Sequence, residues 1–222
     1  MFRNILICLG EQGPQWIMRT VWALCFASSE PFLPFEIHVL ATRPSALHLQ
    51  SELLHPEQGK FHSFVQEYNL QEQIRFDESH IQILHKANTP IDRVHCQEDA
   101  FAAAQGILEN VRSLCSDAQT RIHASLNKSS DILGHSLAYA VSLFGRDQDV
   151  LSYTVVEKSS LESCLDFYYP APTPRQYIFT DPLQNTSLCI TCSDATISLL
   201  PVQFPFLSKI LSFNSWKLLQ ES

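Results

Sequence analysis

Residues 122–156 run Ile122-His-Ala-Ser-Leu-Asn127-Lys-Ser-Ser-Asp131-Ile-Leu-Gly-His-Ser-Leu-Ala-Tyr-Ala-Val-Ser-Leu-Phe144-Gly145-Arg-Asp-Gln-Asp-Val150-Leu-Ser-Tyr-Thr-Val-Val156. The period of the apolar residues changes twice along this stretch. Ile122, Ala124 and Leu126 alternate as in a strand. A polar loop follows, then a helical run from Ile132 to Phe144 that Gly145 closes. Val150 to Val156 is again a strand. Strand, loop, helix, strand is the unit from which parallel α/β sheets are built.

The same alternation extends toward the N-terminus. Ile5 to Leu9 reads as the first strand, broken by Gly10 to Gly13, with Pro14 where a helix places its first residue. Trp16, Ile17, Val21, Leu24 and Cys25 form the stripe of that helix. Glu36 to Thr42 is a second strand. Leu49, Leu53 and Leu54 mark one helix, and Phe61, Phe64, Val65 and Tyr68 mark the next. Ile81 to Leu84 is a third strand, followed by a turn at Thr89-Pro90. The clearest helix comes next, with Phe101, Ala104, Ile107, Leu108, Val111, Leu114 and Cys115 on one face and Glu98 and Asp99 in its first turn. Beyond Val156 the chain is proline-rich around Tyr169 to Pro174. Leu188 to Cys192 and Thr196 to Leu200 then read as a β-hairpin that extends the sheet. The expected fold is therefore α/β: a Rossmann-like, mainly parallel sheet with helices on both faces and a C-terminal β-hairpin extension.

Composition narrows the function. The net charge of −8 argues against duplex nucleic acid, which demands a basic footprint. No apolar run reaches the length of a membrane span, and Met1 to Gly10 is too short for a signal segment. Seven cysteines scattered through apolar segments suit a reduced, cytoplasmic protein. Cys189 and Cys192 have the spacing of a zinc half-site, but no second pair accompanies them, so no metal ligand set and no cofactor are expected. Arg43 with His48, and Arg75 with His80, copy the Arg…His spacing of a helical ribonuclease motif. Both lie beside strands and read as coincidence.

Ligands of open α/β sheets bind where strands end and helices begin. Two loops qualify. Gly10, Glu11, Gln12 and Gly13 lead into a helix N-terminus. Asn127, Lys128, Ser129, Ser130 and Asp131 carry small hydrogen-bonding side chains and one cation. By spacing alone an ordinary turn, capped by Ser130 or Asp131, fits the second loop equally well.

The stretch from His123 to Val156 resembles a segment of the CRISPR-associated Rossmann-fold (CARF) proteins, closest to the type III CRISPR-associated ring nucleases. Further matches are Pro14-Gln15, Thr20, Ala23-Leu24, Glu36 to Val39, Pro90 to Asp92, Glu98-Asp99, Phe167 to Pro170 and Phe204 to Phe206. The resemblance implies one CARF-like domain over residues 1–222, with a core of 1–156 and the proline-rich segment, hairpin and tail over 157–222. It implies a homodimer that binds a cyclic oligoadenylate across its two-fold axis, the two loops of each subunit gripping the ring. In the ring nuclease group, metal-independent cleavage follows. On that reading Lys128, Ser129 and Ser130 are the candidate catalytic residues, and Gly10, Glu11, Gln12, Gly13, Asn127 and Asp131 line the ligand. The sequence departs from the family at these loops. Gly-Gly-Arg-Lys-Thr is replaced by Lys128 to Ile132, and Thr-Gly by Gly10-Glu11. An interaction protein that keeps the fold without the ligand stays open, as does an unrelated nucleotide-binding enzyme.

Overall fold

Five consecutive apolar residues, Ile5 to Leu9, are buried at the centre of the sheet. A strand covered on both faces has no polar side, and its alternate positions serve different cores. Leu6 and Cys8 join one apolar cluster; Ile5, Ile7 and Leu9 join another. The computed structural model describes residues 2–28, 30–126, 132–173, 175–180, 187–191, 195–203 and 205–207.

The main sheet has the order β10-β7-β6-β1-β2-β3. Its strands are β1 (Arg3–Leu9), β2 (Glu36–Ala41), β3 (Ile81–Ile83), β6 (Thr120–Leu126), β7 (Val150–Val156) and β10 (Ile197–Pro201). All neighbours are parallel except β10, which runs antiparallel to β7. On the Leu6 and Cys8 face lie α1 (Pro14–Phe26), α2 (Arg43–Leu53) and α3 (Lys60–Glu67). The other face carries α4 (Gln97–Ser116) and α5 (Ile132–Phe144), through Ala103, Ile107, Val111, Leu133, Leu137 and Val141. The expected fold class is the one observed.

Two local expectations change. The hairpin between Leu188–Cys192 and Thr196–Leu200 is assembled from other partners. Strands β8 (Gln176–Thr180) and β9 (Ser187–Thr191) pair with each other as a separate ribbon, while β10 joins β7. The free edge of β7 presents unpaired backbone groups, and Ile197 buries there beside Val156, Leu161 and Phe167. That combination outcompetes the short connection. Thr89-Pro90 is not the turn either: it forms β5, paired with β4 (His85–Lys86), and Ala87 between them takes a φ of 53°.

The Phe144-Gly145-Arg146 run has a structural purpose. Gly145 lies where a Cβ would meet the Val141 carbonyl oxygen at 2.4 Å, and its N–H donates to that oxygen. Arg146 donates through Nε to Asp149 at 2.9 Å, and through Nη1 and Nη2 to the Asp117 and Thr120 carbonyls at 2.6 and 3.0 Å. The buried Asp149 also accepts the Ile122 amide at 2.8 Å. This network pins the amino ends of β6 and β7.

A four-residue helix, α6 (Ser159–Glu162), follows β7. From α1, the buried Arg19 donates to the carbonyls of Leu161, Glu162, Cys164 and Phe167 at 2.8 to 3.2 Å, closing the segment onto the sheet. Tyr68 accepts from Trp22 Nε1 at 2.9 Å and donates to the Pro170 carbonyl at 2.5 Å, which seats the start of the proline-rich stretch.

Candidate functional site

Strands β1 and β6 pair at a constant offset, Arg3 with Thr120 through Ile7 with Ala124, so their last residues Leu9 and Leu126 lie level. From β1 the sheet continues to β2 on one side, and from β6 to β7 on the other. The strand order reverses between them, and a crevice opens at such a switch point. Both expected loops leave from it. Of the second, Asn127, Lys128, Ser129, Ser130 and Asp131 all lie outside the described residues.

The first loop is a single 3-10 turn, Gly10–Gln12, ahead of α1. The Gly13 N–H closes it on the Gly10 carbonyl at 3.0 Å, and Gly13 itself has a φ of 85°, a left-handed conformation that glycine adopts without strain. Gly10 is small for another reason. A Cβ there would stand 2.4 Å from the Ala41 Cβ and 3.3 Å from Leu49 Cδ1. The close approach at Gly10 is to the end of β2.

The two polar side chains of the turn diverge. Glu11 Oε1 accepts the Thr42 amide at 2.9 Å, which holds the carboxylate on the β2 side. Gln12 reaches the other way, donating from Nε2 to the Ser125 carbonyl of β6 at 2.7 Å. Glu11 Oε2 and Gln12 Oε1 are buried without a partner among the described residues. Gln12 thus ties the turn to β6 across the crevice.

Below this crevice runs a buried polar layer that the sequence reading did not single out. Thr20 Oγ1 shares hydrogen bonds with Ser125 Oγ at 3.2 Å and Thr154 Oγ1 at 2.7 Å. His123 Nε2 pairs with Ser152 Oγ at 2.7 Å, and Phe32 sits edge-on to its ring. Burial, helped by the nearby charge of Arg121, pushes the His123 pKa down to about 4. The ring is therefore neutral at pH 7. The signal was present in the sequence: His123 and Ser125, and Ser152 and Thr154, recur at every second position of otherwise apolar strands.

Beside the crevice, α4 and α5 leave Phe101, Ile132 and Tyr139 exposed. These residues line a shallow apolar cavity of about 400 Å³ with Leu108 and His135. In both Arg…His pairs the arginine is engaged elsewhere. Arg43 makes a two-pronged ion pair with Asp92 at 2.6 Å, Arg75 stacks on Phe35, and His80 binds Asp77. Cys189 is exposed, and Cys192 lies outside the described residues.

The model of the CRISPR-associated protein NE0113 family matches residues 13–221. The chain belongs to this family. No curated protein matches it. Membership in the NE0113 family supports a role in CRISPR defence. In this NE0113-family chain, no helix among the described residues is long and apolar enough to cross a membrane.

Proposed function

We propose that this protein is a CARF-type sensor of CRISPR defence, a single domain whose homodimer binds a cyclic oligoadenylate across its two-fold axis. The observation that carries the reading is the level ending of β1 and β6 at the switch point of a CRISPR-associated α/β chain. A ring built of repeated nucleotides is read by a symmetric pair of sites. The exposed Phe101, Ile132 and Tyr139 favour an apolar contact between subunits next to the second loop, since contiguous exposed apolar surface marks interaction sites.

In this reading Lys128 contacts phosphate, with Ser129 and Ser130 as hydrogen-bonding partners. Asn127, Asp131 and the turn from Gly10 to Gly13 frame the ring. Glu11, turned toward Thr42, keeps its carboxylate off the β6 side. Ring opening, in which a ribose 2′-OH gives up its proton and attacks the adjacent phosphorus while the 5′-oxygen departs and takes a proton, leaves a 2′,3′-cyclic phosphate; it needs orientation and a cation more than a strong base, and cleavage is the second property to assay. An interaction protein without a ligand is the competing reading, favoured by the same apolar patch.

Calorimetry with cyclic tri-, tetra- and hexa-adenylate tests the proposal. One ring should bind a dimer. Lys128→Ala should weaken it by about 1.5–3 kcal/mol, the range of a charge-assisted hydrogen bond, and Asp131→Lys should tighten it. Light scattering should show Tyr139→Glu shifting the dimer to monomer. Absence of heat from the wild type with every ring size removes the sensor reading and leaves the interaction protein.

A further inference from the structure

At the end of the sheet opposite the crevice, three metal-ligating side chains meet. Glu36 and His38 stand on one face of β2, two residues apart. His80 immediately precedes β3, the parallel neighbour in which Ile81 pairs with Val39. One ligand atom from each of the three lies within 4.8 Å of the other two. All three are mostly buried, with side chains between 14 and 17 % exposed. We propose that Glu36, His38 and His80 bind a borderline divalent transition-metal ion of the zinc type.

The geometry is close to what such an ion requires. Around a tetrahedral zinc, with bonds of about 2.0–2.1 Å, ligand atoms stand roughly 3.3 Å apart. His38 Nε2 and Glu36 Oε2 are already 3.0 Å apart. His80 supplies the third position. Its Nδ1 stands 2.9 Å from the Asp77 carboxylate and 3.2 Å from the Asp77 amide; as an Nδ1–H tautomer it donates to the carboxylate, and as an Nε2–H tautomer it accepts the amide. An ion on Nε2 would select the first tautomer, the carboxylate–histidine–metal arrangement that fixes metal-bound imidazoles.

Of the three, His38 lines an open groove of about 650 Å³ between β3 and α4. Two imidazoles and one carboxylate select zinc, cobalt or nickel over calcium and magnesium, which take all-oxygen sets. Arg3, whose charge also reaches Glu36, is paired with Asp117 at 3.7 Å. The other such group among the described residues, His95, Cys96 and Asp99, is a poorer host. Lys86 Nζ already occupies its carboxylate at 2.6 Å. The proposal is independent of cyclic oligoadenylate binding.

The test uses the untagged full chain, stripped with a chelator and titrated with zinc chloride and with cobalt chloride. One equivalent of zinc should bind at the micromolar level or tighter, and cobalt should show tetrahedral visible bands without thiolate charge transfer. His80→Gln and Glu36→Gln should each weaken zinc by roughly 10-fold or more, and Asp77→Asn by about 10-fold. His95→Ala should bind as wild type. Thermal melts without metal verify folding, and any one folded variant of His80 or Glu36 suffices to decide. Zinc affinity unchanged in either folded variant, thiolate charge-transfer bands, or no zinc uptake by the wild type would each overturn the proposal.

Discussion

Substituting Gly10 by alanine adds one methyl group at the tightest point of the first loop. The new Cβ would stand 2.4 Å from the Ala41 Cβ and 3.3 Å from the Ala41 Cα and Leu49 Cδ1. Carbon atoms in van der Waals contact stand about 3.5–4.0 Å apart, so the ends of β1 and β2 must separate by more than 1 Å. The closest clash has no flexible tip to move, because it is between the Cβ of Ala41 on β2 and a Cβ on the turn residue that directly follows β1, the strand paired with β2. Overpacking of this kind costs about 1–3 kcal/mol, and the upper end is expected here. The partner change Ala41→Gly removes the obstructing atom, at its own cost of about 1 kcal/mol for glycine in a strand. Urea unfolding of wild type, both single variants and the double variant closes the cycle. The double variant should recover stability, with a coupling energy of about 1–2 kcal/mol between the sites. Strictly additive losses would refute the contact as the reason for glycine at this position.

Two further outcomes follow from the buried polar groups. His123 has a folded pKa of about 4 against 6.5 for a free histidine, so between those values the unfolded chain binds a proton that the folded chain refuses. Its contribution to stability is intact above pH 6.5 and is lost as pH falls toward 4, by about 3 kcal/mol in all. Unfolding free energies between pH 7 and 5 should fall less steeply in His123→Gln than in wild type; a His123 ring titrating near 6.5 by NMR would contradict this. Arg19→Met keeps the side-chain stem but strips donors from four carbonyls. It should cost about 3 kcal/mol and speed the alkylation of the buried Cys164, whereas a melting point unchanged from wild type would show that water replaces the guanidinium without loss.

The sequence alone determined the fold class and the position of both loops. Short apolar or alternating runs bounded by turn residues read as strands, and the 3.6-residue stripes between them read as helices laid against those strands. That logic is local, and it places Gly10 to Gly13 and Asn127 to Asp131 after the first and fourth strands of the core. Only the tertiary structure decided what lies next to what. The two strands end level because β1 and β6 are neighbours, a pairing across more than a hundred residues that no local period encodes. The divergence of Glu11 and Gln12 depends on which strand flanks each side. The choice of β7 by β10 depends on an open edge and an apolar corner that exist only once the sheet has formed. The cluster of Glu36, His38 and His80 has the same origin. A Glu-x-His pair on one strand face is legible in the sequence, but the third ligand comes from the start of another strand, and only parallel pairing of β2 with β3 brings it within reach.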